Sequence, residues 1–201
     1  MLRRPFAEVD VLDWGCGKGQ ISKMMRDLGP HRIESCDVQN RADSSFGQPT
    51  PIIDAFKISV TPLSHDVLLP YRDGEFDVVL SFGVLEHVAH DKESLREISR
   101  ILKTGGLFFC FFLPGKLSWT QFVSRLRGDN YHDRLYTRDS VHRLLGETGF
   151  NIQDFWYRQI LPKNTINYPA YRAFEHLDLA ITQYTPLRYF ATNIEFVAVK
   201  S

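Results

Sequence analysis

Strand-like and helix-like segments alternate along the first 113 residues, and this alternation restricts the fold more than any other feature. An apolar run at 9–13 precedes a helical pattern at 19–29, and further strand-like runs follow at 31–38 and 76–82. Strands joined by helices pair in parallel, because each helix returns the chain to the same edge of the sheet. The sequence therefore predicts a mostly parallel α/β sheet with its ligand at the carboxyl ends of the strands.

The rest of the chain adds further elements and two variable regions. The other segments are predicted as a third strand at 56–60, helices at 91–106, 137–150 and around 169–181, and strands at 107–113, 151–161 and 193–200, with a polar loop at 39–50. We expect one domain over residues 1–201. Insertions at about 114–136 and 156–190 are then expected to cover the ligand.

Charge and cysteine content narrow the class of protein. Lys plus Arg and Asp plus Glu number 24 each, and no basic run occurs, which disfavours nucleic acid as a partner. The three cysteines have no metal-ligand spacing and are typical of reduced residues. No segment contains the roughly 20 apolar residues that cross a bilayer, and the start has no signal-like apolar stretch. We therefore expect a cytoplasmic protein without a transmembrane segment.

The turn after the first strand carries glycine at every second position, Gly15, Gly17 and Gly19, following Asp13. A phosphate-binding P-loop requires a different spacing, and the dinucleotide fingerprint fails because Gln20 stands where its third glycine belongs. Glycines at such a turn allow a ligand to approach the backbone closely. The amino end of the following helix attracts a carboxylate, and an acid such as Asp13 attracts an ammonium group.

The segment VLDWGCGKG resembles the first motif of the class I S-adenosylmethionine-dependent methyltransferases. Three later stretches, HDVLLPYRDGEFDVV, SFGVLEHV and LREISRILKTGGLFF, are also similar to motifs of this family and stand in the same order. The resemblance is dense over 9–113 and loose over 132–200, and within the family the chain is similar to the type 11 and quinone-pathway enzymes. It implies a Rossmann-like, seven-stranded sheet with helices on both faces and an antiparallel last strand.

The resemblance also implies a set of cofactor-binding residues for S-adenosylmethionine. Asp37 would accept the ribose hydroxyls, Asp66 or the neighbouring amide would contact adenine, with His65 as an alternative to Asp66, and 81–83 would pass beneath the sulfonium. The full set is Asp13, Gly15, Cys16, Gly17, Gly19, Asp37, Val38, Asp66, Val67, Ser81, Phe82 and Gly83.

Three residues are candidates for catalysis. The stretch YHDRLYTRDSVHRLL resembles a segment of the quinone-pathway O-methyltransferases and related sugar or lipid enzymes. Those enzymes carry a histidine just before a helix, so His132 is the first choice for a general base. Glu86 and His87 are further candidates, although they also suit a structural role in the loop before the helix at 91. In some relatives an E-x-x-EH segment and a later histidine bind a divalent metal. Gly83 replaces the first glutamate here, so we predict no metal, and the alternative with Glu86, His87 and His132 as ligands stays open.

The resemblance implies a methyltransferase that forms S-adenosylhomocysteine and acts on a small-molecule or carrier-linked acceptor, with oxygen favoured over nitrogen or carbon as the methylated atom. Aromatic and arginine residues in the two insertions suit an aromatic, glycosyl or lipid-type acceptor. Only eight residues precede the first strand, so we expect the insertions to replace the amino-terminal lid common in the family. We expect a monomer or homodimer. A catalytically silent cofactor-binding scaffold is the main alternative, and a NAD-dependent dehydrogenase, which would share Asp37, is the second.

Overall fold

The computed structural model describes residues 5–38, 51–65, 67–128, 134–161 and 171–201. Its centre is a seven-stranded sheet in the order β3-β2-β1-β4-β5-β7-β6. The strands are β1 Asp10–Trp14, β2 Arg32–Val38, β3 Thr61–Leu63, β4 Phe76–Phe82, β5 Leu102–Pro114, β6 Phe150–Arg158 and β7 Asn193–Lys200. Strand β7 runs antiparallel to both β5 and β6, and the other neighbouring pairs are parallel. The expected Rossmann-like sheet with an antiparallel last strand is confirmed.

Helices pack on both faces of this sheet, as expected. They are α1 Gln20–Leu28, α2 Pro51–Ala55, α3 Asp91–Ile101, α4 Trp119–Arg127, α5 Arg138–Gly146 and α6 Tyr171–Tyr184. On one face, apolar side chains of α3 and α5 pack with Leu12, Phe108 and Phe196 of the sheet. On the other face, Ile21 and Met25 of α1 pack against a second apolar cluster of the sheet. Each face thus has its own core.

The order of the strands determines where a ligand binds. From β1 the chain continues outward to β2 and β3, whereas from β4 it continues in the opposite direction to β5. Helices leaving β1 and β4 therefore diverge, and a crevice opens outside the carboxyl ends of these two strands. The glycine turn that follows β1 lies at this crevice.

Two predicted elements are misplaced for reasons that the structure makes clear. The helix predicted at 91–106 ends at Ile101, because Leu102 adopts an extended conformation and pairs with Phe76 of β4. The third strand is wrong at 56–60 and lies instead at Thr61–Leu63, which pairs with the end of β2. The earlier residues continue the turn at the end of α2: Ile58 donates its amide proton to Ile53 across Lys57, whose φ is +48°.

The insertions supply α4 and α6, and both helices are attached to residues 159–161. The Trp119 indole donates to the carbonyl of Ile160 at 2.7 Å. The buried Asp178 carboxylate accepts the amide protons of Gln159, Ile160 and Leu161 at 3.1, 2.8 and 2.7 Å. Within the described ranges, every helix is too short or too polar to serve as a membrane-spanning segment.

Candidate functional site

The glycine turn is attached to the end of the neighbouring strand β2. Gly15, Gly17 and Gly19 have φ values of +72°, +55° and +80°, which favour glycine over any other residue. The amides of Gly15 and Cys16 donate to the carbonyl of Cys36 at 2.9 and 3.1 Å. The Gly17 amide donates to the Asp37 carboxylate at 2.9 Å. The turn and Asp37 therefore form one hydrogen-bonded unit at the crevice.

The three glycines meet different surroundings. A Cβ atom added to Gly15 would lie 2.5 Å from the Val84 side chain, and one added to Gly19 would lie 2.9 Å from Ile53. A Cβ atom added to Gly17 would have its nearest neighbour, the Gly15 carbonyl oxygen, 4.0 Å away. Gly15 and Gly19 are thus required by packing within the protein. Gly17 borders open space, as a backbone cradle for a ligand requires.

The amino end of α1 is suited to a carboxylate. Its N-cap residue is Gly19, and no side chain caps the helix. The amides of the first turn have no partner inside an α-helix, and the helix dipole places partial positive charge there. This end can therefore hold the carboxylate of an amino acid, and the Gly17 opening beside it gives that group access.

Asp13 lies beneath the turn. Its side chain is 1 % exposed, and one carboxylate oxygen accepts the Ser22 hydroxyl proton at 2.5 Å. Ser22 in turn accepts the hydroxyl proton of Ser35 at 2.8 Å. This buried chain joins β1, α1 and β2 directly below the glycines. Neither Ser22 nor Ser35 is predictable from the sequence, since a single serine in a helix or strand gives no signal of such a contact.

Of the residues expected at the ribose and adenine, Asp37 and Val38 end β2, and His65 and Val67 follow β3. Asp37 is half-buried and also accepts the Val38 amide proton at 2.8 Å, and Val38 is 50 % exposed. Asp66 lies outside the described residues. Its neighbours His65 and Val67 are exposed and half-buried, respectively.

The end of β4 forms the floor of the crevice. Ser81 is fully buried and pairs with Trp14 of β1, and the Phe82 ring stacks on Phe111 with centroids 4.7 Å apart. Gly83 has a φ of +67° and donates its amide proton to the Phe111 carbonyl at 3.0 Å. These contacts fix the last turn of backbone before the loop that carries Glu86.

Glu86 is a buried acid next to this floor. It is 3 % exposed, and burial raises the pKa of its carboxyl group to about 7. Its Oε2 atom has no hydrogen-bond partner among the described residues. A Cβ atom at Gly83 would lie 3.6 Å from Oε1, and the exposed His87 places Nε2 3.9 Å from the same oxygen. An acid that changes charge near neutral pH therefore borders the floor.

His132 falls in a stretch, 129–133, for which the structure gives no description. The residues directly after it are attached to the loop that carries Glu86. The Arg134 guanidinium donates to the carbonyls of Val88 and Ala89 at 3.1 and 3.0 Å, and the Tyr136 hydroxyl donates to Asp91 at 3.0 Å. The described residues contain no group of three side chains that could hold a metal ion. The alternative metal set of Glu86, His87 and His132 includes a residue outside the described ranges and stays a prediction.

Residues 12–110 match the family model for a methyltransferase domain, type 11. The ubiquinone biosynthesis O-methyltransferase of Caulobacter vibrioides is 35 % identical over 107 residues, which make up 53 % of this chain and 42 % of that protein. The enzyme of the same name from a Ruegeria species is 29 % identical over 180 residues, or 81 % of this chain and 70 % of that protein. The chain thus spans about two fifths of the length of the first of these relatives.

Solved structures share the fold over nearly the whole chain. One is a complex between the Haloferax volcanii Trm112 methyltransferase activator and a methyltransferase, with a TM-score of 0.67, 23 % identity, and coverage of 98 % of this chain and 85 % of that one. A SAM-dependent methyltransferase from Archaeoglobus fulgidus has a TM-score of 0.64 at 17 % identity, with coverage of 97 % and 87 %. At these identities the structures support the fold alone. The family match shows that residues 12–110 of this chain form a methyltransferase domain, and the solved structures show that the domain has the fold of the class I S-adenosylmethionine-dependent methyltransferases.

Proposed function

We propose that this chain binds S-adenosylmethionine in the crevice outside β1 and β4 and transfers its methyl group to an acceptor. The observation that carries the proposal is the opening at Gly17, which lies between the uncapped amino end of α1 and the Asp37 carboxylate. A sulfonium methyl group is already activated. The protein's task is then to align an acceptor with it and to exclude water.

The residues around the turn suit each part of the cofactor. The free amides at the start of α1 suit the methionine carboxylate. Asp13 supplies negative charge beneath the turn, which favours the ammonium group. Asp37 is positioned to accept ribose hydroxyls in exchange for its hydrogen bond to Gly17. The Ser81–Gly83 backbone gives the sulfur a packed floor, with Cys16 and Val38 at the sides of the crevice.

Deprotonation of the acceptor is assigned to His132, with Glu86 and His87 as supporting groups. The contacts of Arg134 and Tyr136 with the 85–91 loop support this assignment. They attach the segment that begins two residues after His132 to the loop that carries Glu86. A carboxyl group with a pKa of about 7 can accept or return a proton at neutral pH. His132 would contact the acceptor directly, and Glu86 would balance the resulting charge.

The acceptor proposed is a small or carrier-linked molecule that is methylated at oxygen. The relatives named as ubiquinone biosynthesis O-methyltransferases support this choice of atom. The insertions that supply α4 and α6 are proposed to cover the acceptor. They are attached through residues 159–161, which follow the carboxyl end of β6.

Isothermal titration with S-adenosylhomocysteine and with NAD tests the cofactor. We expect 1:1 binding of S-adenosylhomocysteine and none of NAD, and the reverse result would contradict the proposal. Transfer of a labelled methyl group to a panel of phenols, sugars and carrier-linked metabolites then tests activity. Cofactor binding without transfer to any of them would favour the silent scaffold.

Replacement of His132 tests the proposed base. For His132→Ala we expect kcat to fall by about two to four orders of magnitude, since this is the usual contribution of a general base. The Kd for S-adenosylhomocysteine should stay the same. The exposed His142 on α5 offers a matched control, and His142→Ala should keep its turnover. Unchanged turnover in His132→Ala would remove it from this role.

A further inference from the structure

A second cavity lies at the β6 edge of the sheet, away from the crevice between β1 and β4. Its volume is about 440 Å³, which is within the range of small-molecule sites. The last residues of β6, Phe155–Arg158, form one wall. Side chains of α5, α6 and the 3-10 turn at Pro186–Phe190 complete it.

Three guanidinium groups, those of Arg138, Arg158 and Arg188, line this cavity. Arg158 is partly neutralised by Glu195, whose carboxylate lies 3.3 Å from its Nε atom. Arg138 and Arg188 form no ion pair with any carboxylate in the described ranges. The Nε atom of Arg188 is buried and has no hydrogen-bond partner among those residues. A buried donor without a partner is costly, so the cavity is prepared for an acceptor.

The nearby acids do not cancel this charge. Asp178 already accepts three backbone amide protons from residues 159–161. Glu195 also accepts the Trp156 indole proton at 2.7 Å. Asp139 is exposed at the start of α5 and does not line the cavity. The lining therefore keeps about two uncompensated positive charges.

Aromatic rings surround these charges. The Arg138 guanidinium lies 5.6 Å from the centre of the Phe155 ring, and the Arg188 guanidinium lies 5.3 Å from that of Tyr189. Tyr157 packs edge-on against both Phe155 and Tyr189. Stacking on rings holds a guanidinium in place with its N–H groups free to donate sideways. The cavity thus combines aromatic rings with three guanidinium groups in one lining.

We propose that this cavity is a binding site for a soluble organic phosphate, a phosphate monoester on a ring-sized body. A phosphate monoester carries between 1.5 and 2 negative charges at neutral pH and three acceptor oxygens. These match Arg138 and Arg188, which have no carboxylate partner in the described ranges, and the partly neutralised Arg158. A carboxylate would leave one of them unmatched. The Nε atom of Arg138 donates to His142 at 3.4 Å, so its terminal N–H groups are the donors assigned to the phosphate. The ring-sized body would lie against Phe155 and Tyr157.

This site is separate from the cofactor crevice. Strands β4 and β6 are three positions apart in the sheet, which corresponds to about 14 Å at the usual strand spacing. The carboxyl ends of both strands lie at the same edge, since β6 is antiparallel to β7 and β7 is antiparallel to β5. Both sites can therefore be filled at once.

Titration with phenyl phosphate, in the presence of saturating S-adenosylhomocysteine, tests the site. We expect 1:1 binding of phenyl phosphate, weaker binding of inorganic phosphate, and none of phenol. Equal binding of phenol, or no binding of phenyl phosphate to the wild-type protein, would overturn the proposal. Loss of phenyl phosphate binding when S-adenosylhomocysteine is added would place the probe in the cofactor crevice and would also overturn it.

Arginine variants locate the bound phosphate. Arg138→Gln and Arg188→Gln should each raise the Kd for phenyl phosphate about tenfold, because each removes a charge-assisted hydrogen bond. Arg143→Gln is the matched control, since Arg143 is exposed on the same helix as Arg138 and does not line the cavity. An equal effect in Arg143→Gln would indicate non-specific attraction and count against the site. Co-sedimentation with phosphatidic acid vesicles that Arg188→Gln abolishes would reassign the phosphate to a lipid and contradict a soluble ligand.

Discussion

At the scale of single residues, Gly17 and Gly29 form a natural pair for comparison. Both have positive φ, at +55° and +71°, and neither has protein atoms closer than 4.0 Å to the position of a Cβ atom. Replacement by alanine therefore costs similar backbone strain in both, about 1 kcal/mol. Only Gly17 borders the proposed cofactor.

The comparison of Gly17 with Gly29 leads to a prediction for cofactor affinity. Gly17→Ala should raise the Kd for S-adenosylhomocysteine at least tenfold, because the methyl group would enter the space that the ligand needs. Gly29→Ala should leave that Kd unchanged. Both substitutions should lower the free energy of unfolding by about 1 kcal/mol. Isothermal titration and urea unfolding measure the two quantities. Equal Kd values in the two variants would show that the ligand does not lie against Gly17.

The pKa of Glu86 leads to a prediction for stability. Burial raises it from the usual 4.5 to about 7, so the folded protein binds a proton more tightly than the unfolded chain. This tighter proton binding stabilises the folded protein. The stabilisation is fully present below about pH 4.5 and is lost as the pH rises through 7. Between pH 5 and pH 8 the loss amounts to about 2 to 3 kcal/mol.

Glu86→Gln should remove this loss, because glutamine stays neutral. Urea unfolding at pH 5 and pH 8 checks the difference between variant and wild type. Glu93→Gln, at an exposed position on α3, is the control and should keep the pH dependence of the wild type. The same pH dependence in Glu86→Gln and wild type would contradict a raised pKa at Glu86.

At the scale of elements, the attachment of α6 depends on Asp178. Asp178→Ala removes the acceptor of three backbone amide protons, and the expected loss of unfolding free energy is about 3 kcal/mol or more. Amide hydrogen exchange should also become faster in α6 and at residues 159–161. Glu175→Ala, on the same helix but without these contacts, should change neither. Unaltered exchange in Asp178→Ala would mean that α6 is held by its apolar contacts alone.

Elements with a clear apolar period were predicted well from the sequence. Strands β4 and β7 lie where they were expected, and α1 differs by one residue at each end. The end of α3 was misplaced because Leu102 and Lys103 fit a helical pattern and an extended one equally, and pairing with Phe76 decides between them. Strand β3 was misplaced because it has only three residues and its conformation depends on β2.

At the scale of the whole molecule, the carboxyl ends and the amino ends of the parallel strands carry different features. The carboxyl edge holds the crevice, while the opposite edge holds an ionic cluster in which Lys103 contacts Asp77 at 2.8 Å and Asp10 at 3.0 Å. Asp10 also accepts from His31 at 2.8 Å, and its pKa is lowered because these partners outweigh the effect of burial. This cluster connects β1, β4 and β5 far from any proposed chemistry.

Lys103→Met should therefore lower stability without affecting the cofactor. We expect a loss of about 1 to 3 kcal/mol in unfolding free energy, because the buried Asp77 carboxylate loses a charged partner. The Kd for S-adenosylhomocysteine should stay within about twofold. Lys92→Met, which removes an exposed pair with Glu147, should lower stability less than Lys103→Met does, because solvent screens that pair. A large change in cofactor affinity in Lys103→Met would show that the two edges are coupled.

The site was predictable from the sequence only in part. The spacing of the three glycines identified the turn, because backbone conformation leaves a direct mark on residue type. The sequence did not show which of the glycines are required by packing within the protein, because Val84 and Ile53 approach Gly15 and Gly19 only in the folded chain. Likewise Arg138, Arg158 and Arg188 come from three separate segments, and no local pattern relates them.

Residues 159–161 have a consequence for protein engineering. Because α4 and α6 are both attached to these three residues, the two insertions form one transplantable unit rather than two. A chimaera that exchanges α4 alone loses the Trp119 contact with Ile160, and one that exchanges α6 alone leaves three backbone amides without their acceptor. Moving the two insertions onto another scaffold therefore requires the block from Trp119 to Tyr184 to be moved together.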